Sequence, residues 1–220
     1  MKKSFLIAAL GAACLPATAL HAAGGHHAVD DAALLAPGQC HVESWYARGG
    51  GERRLHVAPA CRRGPVEWAL ALERGFGDGD TLGLQAKGLF TAEAAPLALG
   101  WSLGVERGHD GPREEALRLN LPATLALGER LAAHLNLGRR WQRHGRGAWT
   151  AGAALEAELG GGFSAVAERW REGRGQHARQ VGLRWTTPGD GLDLDLGHAH
   201  GHGDDGWRGW TLGATWRFGG

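Results

Sequence analysis

Residues 148–159 read AWTAGAALEAEL, and the alternation within them decides the fold class. Trp149, Ala151, Ala153, Leu155, Ala157 and Leu159 share one face; Thr150, Gly152, Ala154, Glu156 and Glu158 share the other. A period of two residues belongs to a β-strand, whose successive side chains point to opposite faces of the sheet. The pattern recurs at Val181 to Thr187 and at Trp210 to Phe218, each segment cut off by a glycine-rich turn.

Working outward, twelve such segments follow Gly38: about 39–47, 53–61, 66–74, 81–90, 97–106, 115–127, 131–142, 148–159, 163–171, 178–187, 192–200 and 207–218. About 15 residues per strand plus connection suits membrane-crossing strands of about 9–11 residues. The connections alternate between tight turns, such as Arg63-Gly64-Pro65, and more polar or longer ones, such as Arg107 to Glu114. Short periplasmic turns and longer outer loops characterise outer-membrane barrels, and an even strand count puts both termini in the periplasm.

Tryptophan indicates which face is wet. With strands threaded up and down, Trp68, Trp185, Trp216 and Phe218 fall near one rim on the apolar face, and Tyr46, Trp141, Trp149 and Trp210 near the other. Aromatic girdles belong at lipid–water interfaces, since the indole is apolar in body with one polar N–H. The opposite face carries Glu67, Lys87, Glu106, Arg118, Asn136, Arg140, Glu156, Glu158, Arg184, Asp193 and Asp195, which line the lumen. Mixed charges there pair or meet water, which offsets the cost of burial. The fold expected is all-β, a twelve-stranded antiparallel transmembrane β-barrel with a short N-terminal arm. A soluble β-sandwich or soluble barrel is the alternative.

Residues 1–22 have the layout of a secretory signal peptide, with Lys2 and Lys3 ahead of an apolar run. Residues 23–38 show no period and form a periplasmic arm or lumen plug, leaving 39–220 as the barrel. The full chain has 24 Lys and Arg against 23 Asp and Glu; without Lys2 and Lys3 it is near neutral, which gives a nucleic-acid partner no support. A turn at Gly50-Gly51 sets Cys40 opposite Cys61, and an oxidising compartment makes that pair a disulfide. Pro122 interrupts a strand and calls for a bulge or break. No strand phase puts both Glu168 and Arg169 inside, so one of them lies near a rim or the strand is bulged.

Leu135-Asn136-Leu137-Gly138, Ala167-Glu168-Arg169, Val181-Gly182-Leu183-Arg184 and Leu192-Asp193-Leu194-Asp195 resemble segments of small bacterial outer-membrane β-barrel proteins grouped with transporters of phenol-degradation pathways. The resemblance covers roughly Val66 to Phe218. It implies an outer-membrane barrel with no catalytic motif. One departure is the end: Phe218 is followed by Gly219-Gly220, whereas such barrels often finish on the aromatic that the insertion machinery reads.

Three functions stay in play. The first is a monomeric barrel giving structure or a narrow path to an unidentified small solute, with outer-membrane lipid and the barrel-insertion machinery as its partners. The second is transition-metal binding, by His26, His27, Asp30 and Asp31 in the arm or by His198, His200 and His202 near an outer loop, since imidazole suits Zn, Cu or Ni. Beyond such a metal, no cofactor is expected. The third is a lipid-modifying enzyme, for which Ser44 is the one lipid-facing serine; His56, in the next strand, points to the other face. No catalytic residue is assigned.

Overall fold

The computed structural model describes residues 27–77, 79–108, 115–143, 147–173, 177–189, 191–202 and 206–220. Its strands are β1 (Gln39–Gly49), β2 (Glu52–Arg63), β3 (Val66–Gly75), β4 (Gly79–Leu89), β5 (Leu97–Gly108), β6 (Glu115–Ala126), β7 (Leu131–Gln142), β8 (Ala148–Gly160), β9 (Phe163–Glu172), β10 (His177–Thr186), β11 (Leu192–His202) and β12 (Arg208–Gly219). Each pairs antiparallel with its sequence neighbour, and β1 pairs with β12 to close the barrel. Closure leaves no unpaired edge, which is what a sheet in hydrocarbon requires.

Alternation carries through to the two surfaces. In β8, Ala154 and Glu156 are buried while Trp149, Ala153, Leu155 and Leu159 are exposed on the outside. The outer wall is a field of exposed leucines, Leu135, Leu137, Leu155 and Leu212 among them. That is the inverse of a soluble protein and the signature of a lipid-facing surface. Trp68, Trp185, Trp216 and Phe218 lie outward near the rim that holds both chain ends, and Tyr46, Trp141, Trp149 and Trp210 outward near the far rim. No helix among the described residues is long and apolar enough to cross a membrane; this barrel crosses with strands.

The first hairpin has the register set by its two glycines, Gly50 and Gly51, both at positive φ. Cys40 stands opposite Cys61 and the two are disulfide-bonded. At Pro122 the strand is broken on one side without a bulge: pairing with β5 skips from Leu99↔Ala123 to Ser102↔Asn120 in unchanged register, while Pro122 still faces Asn136 of β7. A missing N–H removes one ladder bond and leaves the count of residues intact. Pro59 does the same between β2 and β3.

The two ends of the barrel do not differ in connection length. Turns at the end holding the chain termini have two, seven, four, two and five residues, and those at the far end two, three, six, five, four and five. What differs is composition. The far connections carry Asp78, Asp110, Arg113, Glu114, Arg143, Arg146, Arg174, Asp204 and Asp205, against Glu93, Glu129, Arg130 and Asp190 at the near end.

Candidate functional site in the lumen

Inward side chains are polar at most heights, and the arm lies among them. Residues 27–38 have no strand partner, so their backbone N–H groups need other acceptors. Lumen side chains supply them. The amide of Val29 donates to Glu168 Oε2 at 2.9 Å and that of Ala28 to Glu168 Oε1 at 3.2 Å. Asp30 N donates to Asn136 Oδ1 at 2.8 Å, and Asn136 Nδ2 returns a bond to the Asp30 carbonyl at 2.6 Å. Ala32 N donates to Thr124 Oγ1 at 2.8 Å, Leu35 N to Glu67 Oε2 at 2.9 Å, and Arg62 Nη1 to the Leu35 carbonyl at 2.8 Å. The segment therefore crosses the lumen from the β2–β3 wall to the β9–β11 wall.

Charge and shape add to these bonds. Lys87 Nζ lies 2.8 Å from Asp30 Oδ1 and 2.9 Å from Asp31 Oδ1, so one ammonium holds two arm carboxylates. Burial pushes the Asp30 carboxyl above its ordinary value, and the Lys87 charge opposes that rise. Val29 is fully buried with Ala154, Val166 and Trp170 around it. Its seat is Gly152, where an added Cβ would stand 2.7 Å from Val29 Cγ2. His27 reaches Glu168 at 3.4 Å and Asp195 at 3.9 Å.

The remaining lumen charges are mostly paired. Arg184 Nε lies 2.8 Å from Asp195 and 4.0 Å from Asp193, and Arg217 Nη1 donates to Asp193 at 3.1 Å. Arg118 meets Glu106 at 2.7 Å, and His134 lies 3.6 Å from Glu156. Glu158 and Arg140 sit on lumen-facing positions of β8 and β7, Glu158 close to the end of β8 at the rim holding the chain termini. At that rim the Arg62 guanidinium hydrogen-bonds Glu93 and holds its carboxyl below its ordinary value. Between arm and wall a cavity of about 600 Å³ remains, lined by Arg54, His56, Glu73, Arg118 and Asn136 together with arm residues 30 and 31.

Several residues of the metal expectation take other partners. Asp30 and Asp31 hold Lys87 and not an imidazole, while His27 faces Glu168 and Asp195; His26 lies outside the described residues. His198, His200 and His202 are on the outer face of β11, with the His200 and His202 rings 4.4 Å apart, closer than strand spacing alone gives. Among the described residues no three His, Cys, Asp or Glu side chains gather into a metal-binding group. Ser44 gives its hydroxyl to the Ala214 carbonyl at 3.4 Å, and His56 stacks on Trp45 in the lumen with ring centroids 4.7 Å apart. Serine and imidazole are on opposite faces of the sheet, so no nucleophile–base pair forms there.

Two inward tryptophans, Trp45 and Trp170, were not marked by the girdle pattern. They line, with Trp207 at the far rim, a second cavity of about 540 Å³. The signal was present in the sequence as parity: Trp45 alternates with lipid-facing Ser44 and Tyr46, and Trp170 with outward Arg169 and Arg171.

A family model described as uncharacterised conserved protein UCP029691 matches residues 11–218. The chain belongs to that family. The grouping with phenol-degradation transporters, which the short motifs suggested, finds no support in this match. No curated protein matches. Among solved structures, a KdgM porin in complex with disordered oligogalacturonate is similar with a TM-score of 0.70 and 9% identity, over 81% of this chain and 99% of that one. A NanC porin matches with a TM-score of 0.62 and 5% identity, over 80% and 98%. The Acinetobacter baumannii outer membrane protein Omp33 matches with a TM-score of 0.53 and 10% identity, over 82% and 98%. At these identities the likeness is one of fold: a closed twelve-stranded barrel of the outer-membrane porin type.

Proposed function

We propose that the protein is a narrow outer-membrane channel for a small polar solute, held shut by its own N-terminal arm. The observation that carries this is the ladder of arm N–H groups on Glu168, Asn136, Thr124 and Glu67, with Lys87 bonded to Asp30 and Asp31. The wall supplies an acceptor at each of these heights, so the arm is bonded across the lumen along its path and occupies it. Residues 1–22 serve as the export signal, 23–38 as the plug and 39–220 as the conduit. The end holding the chain termini faces the periplasm, in keeping with an even number of strands and with the more polar connections at the far end.

Planar-bilayer recording tests the reading. Wild-type protein should conduct weakly, and a variant lacking residues 23–36 should show larger unitary steps. Equal conductance in the two proteins, each migrating as a folded barrel on an unboiled gel, would overturn it.

A further inference from the structure

The conflict at Glu168 and Arg169 resolves with Glu168 buried and Arg169 outside. Arg169 is not alone there. It stands opposite Arg179, Arg179 opposite His200, and His200 opposite Arg208, so one row of directly paired positions across β9, β10, β11 and β12 reads Arg-Arg-His-Arg. All three arginines are exposed, while their inward neighbours Glu168, Gln180 and Gly209 are buried. The row lies within the last few residues of each strand at the far rim. At about 4.8 Å between strands it spans about 14 Å.

Like charges placed directly opposite on one sheet face repel, so the Arg169–Arg179 pair costs stability unless something neutralises it, and His200, 3.4 Å from Arg179 Nη2, brings no negative charge to do so. Nothing in the protein does so among the described residues. None of Arg169, Arg179 and Arg208 takes part in an ion pair, and no Asp or Glu occupies an outward position of β9 to β12. The same face continues over the closure, where outward Arg48 stands opposite Trp210 on one side and Arg53 on the other. Elsewhere on the rim outward cations have other partners: Glu115 lies 2.6 Å from Arg143 and 3.9 Å from Arg107, Arg74 stands opposite Asp80, and Arg139 lies over the rings of Trp141 and Trp149. The run of directly opposed basic residues lies on one side of the barrel, beside the aromatic girdle.

We infer that this row is a binding site for the phosphate groups of an anionic glycolipid in the outer leaflet. The outward face at that height meets lipid headgroups, and guanidinium is the side chain that holds phosphate bidentately. Trp210, more than half exposed, is the next outward position after Arg208 and offers apolar surface to the acyl region below. The lipid supplies the counter-charge that the sheet lacks.

Full-length protein in a non-ionic detergent provides the test, with lipid A carrying two phosphates as the probe and complexes counted by native mass spectrometry. The same lipid with its phosphates removed, and inorganic pyrophosphate, are the comparison arms. Wild type should retain the phosphorylated lipid selectively. Arg169→Gln/Arg179→Gln/Arg208→Gln should weaken it by about fivefold per arginine, on the order of a hundredfold together, and Arg107→Gln should leave it unchanged. Equal retention of the phosphate-free lipid, undiminished binding by the triple variant, or equally tight binding of pyrophosphate would overturn the assignment. If the triple variant fails to migrate as a folded barrel, Arg169→Gln and Arg208→Gln singly carry the same test.

Discussion

Lys87 carries two obligations at once, because Asp30 and Asp31 both turn to it inside the barrel. Removing one partner of a buried charge cluster leaves the others uncompensated, which costs roughly 3–5 kcal/mol. Lys87→Met should therefore loosen the arm and leave the barrel standing. The measurement is protease cleavage within residues 27–38 of the folded protein, rapid in the variant and slow in wild type. Gly152 makes a separate prediction from shape alone. Gly152→Ala drives a methyl to 2.7 Å from Val29 Cγ2, so either the arm or β8 must shift. Cleavage should rise, and Val29→Gly in the same chain should restore protection by emptying the contested space. If the double variant stays as open as Gly152→Ala, the seat is not where the arm is held.

Among elements, the β1–β2 hairpin carries the covalent tie. Cys40 and Cys61 are 21 positions apart, and closing a loop of that size stabilises by about 3 kcal/mol in the chain-entropy account. Cys40→Ser/Cys61→Ser should lower the temperature at which the barrel loses its fast migration on a gel, and reductant should lower wild type to the same point. No shift in either would mean that the sheet ladder alone fixes this hairpin.

The strands themselves were legible because period two is a local property. Most boundaries read from alternation lie within two residues of those in the structure, and the Gly50-Gly51 turn alone set the register of both cysteines. The course of the arm was not legible. Residues 27–38 have no period, and their partners Glu168, Asn136 and Thr124 lie 139, 106 and 92 positions away, a pairing no window of sequence contains. The cation that Asp30 and Asp31 hold was not legible for the same reason: it is Lys87, brought in by a different strand. Arg169 was a partial success. The parity conflict was visible, but only the neighbouring strands show that it joins a row.

For the whole molecule, the distinction between the two surfaces is measurable without any ligand. Seven tryptophans, Trp68, Trp101, Trp141, Trp149, Trp185, Trp210 and Trp216, sit on outward positions, and Trp45 and Trp170 on inward ones. Reconstituted into vesicles of brominated phosphatidylcholine, the protein should lose most of its indole fluorescence. The residue of emission should disappear in Trp45→Phe/Trp170→Phe/Trp207→Phe, which removes all three indoles lining the far-rim cavity. Strong emission persisting in that variant would place the girdle away from lipid.

The inside-outside assignment of Glu168 and Arg169 rests on a count of residues along β9, and every other strand keeps the same kind of count. One extra residue anywhere in such a strand would send carboxylates into hydrocarbon and leucines against the arm. Descendants of this chain can therefore lengthen their connections by any number, but their staves must grow or shrink in twos. An odd insertion in a strand of a working relative should always arrive with a bulge beside it.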